Sequence, residues 1–319
     1  MSNKIIASSV KAADAVDNNR IFKKKRRKKF HVSPLGVIQF IVIGSYVFLL
    51  CYLIFWVFLS SLKTKVDFNL HPMSFPSVFK WSNYKEVFTN LYVELQVVGV
   101  GVKRVYLPKL FLNSILYAVG CTLVTTISHA IVAYVVAKYK FWLRNVIYTA
   151  AIVVMIIPVV NSLPSELSIM RAIGFYDNML ALIFMKCTFT GMNFLILHAT
   201  FSGISNEYAE AAKMDGAGNF TIMVRIMFPM GSSALFILGL TSFISYWNDW
   251  SSTVVYMPSY PIASYALYLF QNSNVNEIAI GGTPWVLTAC AIIILPTLLL
   301  FILFRNKFMG DLSLGGIKG

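Results

Sequence analysis

Charge is what this chain has least of. Only 13% of its 319 residues are Asp, Glu, Lys or Arg, against about 25% in soluble domains, and its mean hydropathy is +0.69. That excludes an ordinary water-soluble globule and points to an integral membrane protein. Cysteine is also scarce. Cys51, Cys121, Cys187 and Cys290 all sit in apolar stretches with no CxxC spacing, so they read as small packed hydrophobes, not a disulfide framework or thiolate metal site. His31, His71, His129 and His198 are scattered, without the spacing of metal ligands. There is no GxxxxGK[ST] loop, so the chain itself is not expected to bind or hydrolyse ATP, and no catalytic constellation or resident cofactor is expected.

What is present is hydrophobic length. Six apolar stretches of about 20 residues or more run from Leu35 to Ser60, Leu110 to Ala137, Asn145 to Leu167, Asn178 to Ser202, Phe228 to Met257 and Pro284 to Leu303. At about 1.5 Å rise per residue each is long enough for about 30 Å of hydrocarbon. The runs are continuous, not two-periodic, which disfavours a membrane barrel. No residue between Phe30 and Leu62 carries a formal charge, so this first run is expected to span the membrane and not to act as a cleaved leader.

The formal net charge of +14 is concentrated in a tail, residues 1–34, which ends in KKKRRKK at Lys23–Lys29. A nucleic-acid binder needs basic residues interleaved with aromatics on a folded face, so nucleic acid is not an expected partner. The tail reads as a cytosolic anchor able to touch membrane lipid. With it inside, the turn at Lys138–Arg144, the segment 203–227 and the carboxyl tail 307–319 are also cytosolic. The first outer loop is an exception to this charge bias. It holds seven Lys and Arg against three acids, with Lys103, Arg104 and Lys109 just before the second span. This loop also contains a short amphipathic helix candidate from about Asn83; a cap, a docking surface and a solvated connector all stay open. Pro158, Pro164 and Gly191 mark expected irregularities in the third and fourth spans.

The densest small-residue segment, EYAEAAKMDGAGN at Glu207–Asn219, falls between spans. Ser205 can cap a helix with Glu207 in its first turn. Tyr208, Ala211, Ala212 and Asp215 recur at spacings of three and four and so share a face. Gly216 and Gly218 then permit a sharp reversal, with Asn219 available to cap the next helix. From the residues alone, a face gripped by another protein and a plain amphipathic connector both stay open.

Glu210-Ala211-Ala212, Asp215-Gly216-Ala217 and Pro229 resemble the EAA loop of binding-protein-dependent ABC importer permeases, specifically MalG-like carbohydrate permeases. NYKEVF at Asn83–Phe88, FLNS at Phe111–Ser114, SYWNDW at Ser245–Trp250 and GDLSLGGIKG at Gly310–Gly319 look like family features in family order. Ser205 departs from the proline that resemblance leads one to expect. The resemblance implies an all-α, MetI-like permease domain of six transmembrane helices over residues 35–306, in the cell membrane with both termini cytosolic. It implies that Glu207, Tyr208, Glu210, Ala211, Ala212, Asp215 and Gly216 form the coupling helix seated on cytosolic ATPase subunits. Gly316, Ile317 and Lys318 would reach toward the same ATPases. Implied partners are a homologous permease, two ATPase subunits holding ATP and Mg, an extracytoplasmic solute-binding protein, and a sugar or oligosaccharide.

Two further features have competing readings. Lys186 lies about eight residues into the fourth run, roughly 12 Å of rise; such an ammonium faces a pathway, pairs, or snorkels. Tyr246, Trp247, Asn248 and Asp249 combine ring faces with polar ends, suited to a sugar pathway or to an interfacial aromatic belt. An importer of a non-sugar solute, a secondary transporter and a membrane scaffold are the alternative functions.

Overall fold

The computed structural model describes residues 34–97, 101–157, 162–272 and 282–312. The polybasic tail and the expected ATPase-contacting residues Gly316, Ile317 and Lys318 lie outside them, as does Pro158. Two units are distinguished, 1–54 and 55–319. The first contributes, among the described residues, most of helix α1 (Pro34–Ser61). Phe40, Tyr46, Phe48 and their apolar neighbours there are exposed, as lipid-facing side chains are.

The second unit continues with α2 (Lys65–Leu70) and α3 (Ser82–Asn90), the latter matching the helix expected from Asn83. An antiparallel hairpin of β1 (Tyr92–Val97) and β2 (Gly101–Tyr106) follows, with Tyr92 paired to Tyr106 and Val97 to Gly101. The fold is mostly helical, as expected, and among the described residues this hairpin is the addition to it. Val93 and Val105 point from it into a core of Val87, Leu107, Phe270 and Trp285.

Helix α4 (Leu107–Lys138) is the axis of the unit. Pro108 pre-forms its first turn, and Lys138 suits the negative end of its dipole. Its buried positions include Ala118, Cys121, Ala130 and Ala133. Small side chains let neighbouring backbones approach where hydrocarbon solvent offers no hydrophobic drive for association. Cys121 thus packs as expected, whereas Cys51 and Cys187 are exposed.

Three of the six apolar runs are not single helices. The third divides into α5 (Arg144–Ile156) and α6 (Leu163–Ala172), with Pro164 in the first turn of the second. The fourth divides into α7 (Met179–Met185) and α8 (Met192–Gly203). Gly191 enters α8 at φ +99°, a conformation helical residues do not adopt.

Beyond α8 come α9 (Glu207–Met214) and α10 (Asn219–Ile222), then a π-helical turn at Met223–Met227 and α11 (Phe228–Met230). The fifth run divides into α11, α12 (Ser232–Trp247) and α13 (Trp250–Tyr256), and the chain bends by 78° between 219–230 and α12. Finally come α14 (Ala263–Asn272) and α15 (Thr283–Leu312). Among the described residues, three unbroken helices are long and apolar enough to cross a membrane, or four if the bent pair is one span. The expected six apolar runs are therefore represented among the described residues by both unbroken and broken helices. Helix α4 packs most extensively against α8 and α12, so it meets both broken segments.

Candidate functional site

Helix α9 stands just beyond the Lys138 end of α4. Lys138 ties down its entry, donating from Nζ to the Ile204 carbonyl and to Asn206 Oδ1, the latter at 2.9 Å. The N-cap is Asn206, with no side-chain capping bond. Ser205 still contributes, since its hydroxyl accepts from the Glu207 amide at 3.3 Å. Glu207 and Glu210 occupy the first turn and Lys213 the last, each favourable to the helix dipole.

The helix ends in a double backbone closure. Gly216 N–H donates to Lys213 O at 3.0 Å and Ala217 N–H to Ala212 O at 2.9 Å, which satisfies two otherwise orphaned carbonyls. Gly216 makes this possible at φ +83°. Gly218 does not share that role: its φ is −71°, and it, not Asn219, is the N-cap of α10.

The small residues divide between two faces. Ala212 is turned into the chain's own core with Phe201, Ile222 and Met227, and Ala209 and Ala217 pack against the same cluster. This corrects the expectation of one shared outer face: Tyr208, Ala211 and Asp215 are exposed, Ala212 is not. Sequence reasoning missed the two largest apolar groups of the outer surface, Met214 at 85% and Phe220 at 74% exposure. Beneath α9, Tyr134, Phe201 and Phe228 stack edge and face with centroids 5.8–6.3 Å apart, joining α4, α8 and α11. A displacement of α9 therefore meets a packed aromatic platform shared by three elements.

The second candidate region is midway along α4. Lys186 caps the end of α7 at the break in the fourth run, and its Nζ lies 5.8 Å from the centre of the Tyr246 ring. Tyr246 hydroxyl and Thr125 Oγ1 are 2.9 Å apart, and the Tyr117 and Tyr246 rings meet edge to face at 6.0 Å. Tyr117 donates to Asp249 Oδ2 at 2.9 Å. The structure thus brings Lys186, Tyr246 and Asp249 into one network. Asp249 is already occupied as the N-cap of α13, accepting from Ser251 Oγ and from the amide and hydroxyl of Ser252. Asn248 donates to Ile244 O at 2.9 Å and closes α12. Trp247 is placed differently from the pathway expectation. It is 1% exposed, packs on Phe111 and Phe243, and donates from Nε1 to Ile293 O.

The break itself is held from α4, by residues the sequence reading left aside. Thr125 donates to Lys186 O at 3.2 Å and Ser128 to Thr188 O at 2.6 Å. His129 sets one ring nitrogen 2.9 Å from Thr190 O and the other 2.6 Å from Thr125 O. Positions i, i+3 and i+4 share a helix face, so one face of α4 satisfies the alternate carbonyls that the missing helical turn releases.

Residues 129–308, more than half of the chain, match the family described as binding-protein-dependent transport system inner membrane component. The chain belongs to this family. It is similar to the diacetylchitobiose uptake system permease protein NgcG of Streptomyces coelicolor, 23% identical with 82% of each chain covered. It is likewise similar to the arabinooligosaccharides transport system permease protein AraQ of Bacillus subtilis, 23% identical over 91% of this chain and 98% of that one. A solved bacterial ABC transporter involved in the import of the acidic polysaccharide alginate shares the fold. Its TM-score is 0.71 at 21% identity, over 86% of this chain and 96% of that one. As an inner membrane component, the chain is a permease-type membrane protein, and both candidate regions fall within or beside the residues that the family match covers.

Proposed function

We propose that this chain is the transmembrane permease subunit of an ABC importer for a sugar or oligosaccharide, with α9 seated on a cytosolic ATPase subunit. The observation that carries the coupling assignment is the division of α9. One face is fixed to the aromatic platform through Ala209 and Ala212, while Tyr208, Ala211 and Met214 face outward. The carbohydrate relatives NgcG and AraQ support the solute class. Glu207 and Glu210 would meet the ATPase or stabilise the helix, Ala211 would permit close seating, and Asp215 with Gly216 would set the turn. Ala212 would act from the inner side, keeping α9 rigid against the bundle.

In this reading the other components are a homologous permease, a second ATPase subunit and an extracytoplasmic solute-binding protein, with both termini of this chain cytosolic. ATP and Mg belong to the ATPases, and Gly316, Ile317 and Lys318 extend toward them. ATP-driven closure of the ATPases shifts α9, the platform conveys the shift to α4, α8 and α11, and the bundle alternates between two access states. Lys186, Tyr246 and Asn248 are the groups offered to solute; Asp249 sets the Tyr117–Tyr246 geometry.

The test compares two glycines in the co-purified complex. A Cβ at Gly216 meets nothing within 4 Å but sits at φ +83°, whereas one at Gly218 is both unhindered and unstrained. Gly216→Val therefore strains the turn by about 1–2 kcal/mol, and Gly218→Ala does not. The expected result is a loss of about tenfold in binding-protein-stimulated ATP hydrolysis for Gly216→Val, with assembly retained and Gly218→Ala close to the parent. An assembled Gly216→Val complex with full stimulation contradicts the coupling assignment.

A further inference from the structure

The opposite end of α4 carries an unexplained excess of positive charge. Lys103, Arg104 and Lys109 border a groove of about 530 Å³ between β2, the first turn of α4 and the segment Ser259–Pro261. Arg104 is already committed, 3.0 Å from Glu94 and stacked over Tyr92 at 4.7 Å. Lys103 and Lys109 have no ion-pair partner among the described residues. The nearby acid Asp177 accepts from the amide and hydroxyl of Ser259, so its oxygens are engaged on the far side of that segment.

The groove is built, not incidental. Asn113 donates to Pro261 O at 2.8 Å from a buried position, and Ser114 Oγ accepts from Ala263 N–H at 2.8 Å. These bonds hold the far wall against α4. The positive end of the α4 dipole adds to the field of the two lysines. Tyr106 and Tyr260, 45% and 41% exposed, supply the phenolic rims common at the level of lipid headgroups.

A soluble anion accounts for the lysines but not for what lies below them. Lys109, Leu112 and Leu116 follow one another at spacings of three and four on one face of α4. Leu112 and Leu116 are 47% and 52% exposed, and Leu123 continues the line at 55%. A cationic groove thus opens directly onto an apolar ridge at the start of a membrane-spanning helix. We propose that this groove binds the phosphate headgroup of an anionic phospholipid, with an acyl chain lying along Leu112, Leu116 and Leu123. The site is independent of which solute the protein carries. It also accounts for the exception to the charge bias: these cations are matched by lipid at the Leu107 end of α4.

The test uses the assembled complex in detergent, with retained lipid measured by native mass spectrometry after titration with phosphatidylglycerol or phosphatidylcholine. Phosphatidylglycerol is expected to be retained about tenfold better. Lys103→Gln with Lys109→Gln should remove that preference, Lys103→Arg with Lys109→Arg should keep it, and Lys140→Gln at the other end of α4 should leave it unchanged. Inorganic phosphate should not displace the lipid. Equal retention of the two lipids overturns the proposal. So does displacement by phosphate alone, which would mark a soluble-anion site, or lipid exclusion because a partner subunit covers the ridge. If the double Gln variant does not accumulate, the comparison of the two lipids on the unaltered complex decides.

Discussion

Two places in the molecule face the same problem and solve it differently. Where α1 ends at Ser61 and where the fourth apolar run breaks at 186–191, backbone carbonyls lose their helical partners. At the first, Ser61 O accepts from Asn83 and Thr288, and Lys63 O accepts from Asn83. Lys63, itself fully buried, donates to His71 O at 2.7 Å and Pro72 O at 3.3 Å. At the second, the donors are two hydroxyls and an imidazole, all from one face of α4. An ammonium is tolerated beside the loop, where Asp67 is close enough to feel its charge. At the break, short side chains from one face of α4 reach the carbonyls of Lys186, Thr188 and Thr190 instead. The break is therefore held in place from α4, and Lys186 stands at it, 5.8 Å from the centre of the Tyr246 ring.

His129→Leu breaks this comparison most severely. It removes the ring nitrogens that lie 2.9 Å from Thr190 O and 2.6 Å from Thr125 O, and losing such a bond to a part-buried carbonyl costs about 1–3 kcal/mol. Thermal unfolding of the purified protein should show it; an unchanged midpoint would mean the break does not depend on α4.

A smaller effect sharpens the loop side. Asp67 accepts from the Ser77 amide at 2.9 Å and from its hydroxyl at 2.8 Å. These bonds, the amide first, then Lys63 and His71, lower its pKa from the ordinary 3.8 despite some desolvation. Because the folded pKa is the lower, the stabilisation is complete above about pH 4 and is lost as pH falls through the folded value. Limited proteolysis within residues 61–80 should increase over that acid range, and Asp67→Asn should remove the pH dependence. A pH profile identical in the variant would contradict this.

The apolar runs were legible because hydropathy depends only on side chains. The breaks within three of them were not, since they depend on backbone conformation and on remote donors. Gly191 and Pro164 signalled trouble, but nothing near either points to Thr125, Ser128 and His129, about 60 residues away in sequence. The hairpin was hidden for a similar reason. YVELQV and GVKRVY mix charges into short β-branched runs inside a polar loop, and pairing across the turn is a tertiary fact. In the candidate coupling segment, helix, turn and acidic start were all readable from Glu207 to Gly216. The inward turn of Ala212 was not, because Tyr208, Ala211, Ala212 and Asp215 span a wide arc and packing decides which edge is buried. Trp247 looks from the sequence like a polar-ended aromatic, but its indole N–H finds its partner in α15.

The central claim is that α9 sits on an ATPase subunit, and Met214, 85% exposed, is the side chain to ask. Met214→Cys, labelled with a short photoactivatable thiol reagent, should cross-link to a co-purified ATPase subunit in a yield that changes when ATP is added. A Cys in place of exposed Leu112, at the other end of α4, should give none. Absence of the Met214 cross-link in an assembled, ATP-hydrolysing complex would contradict the account.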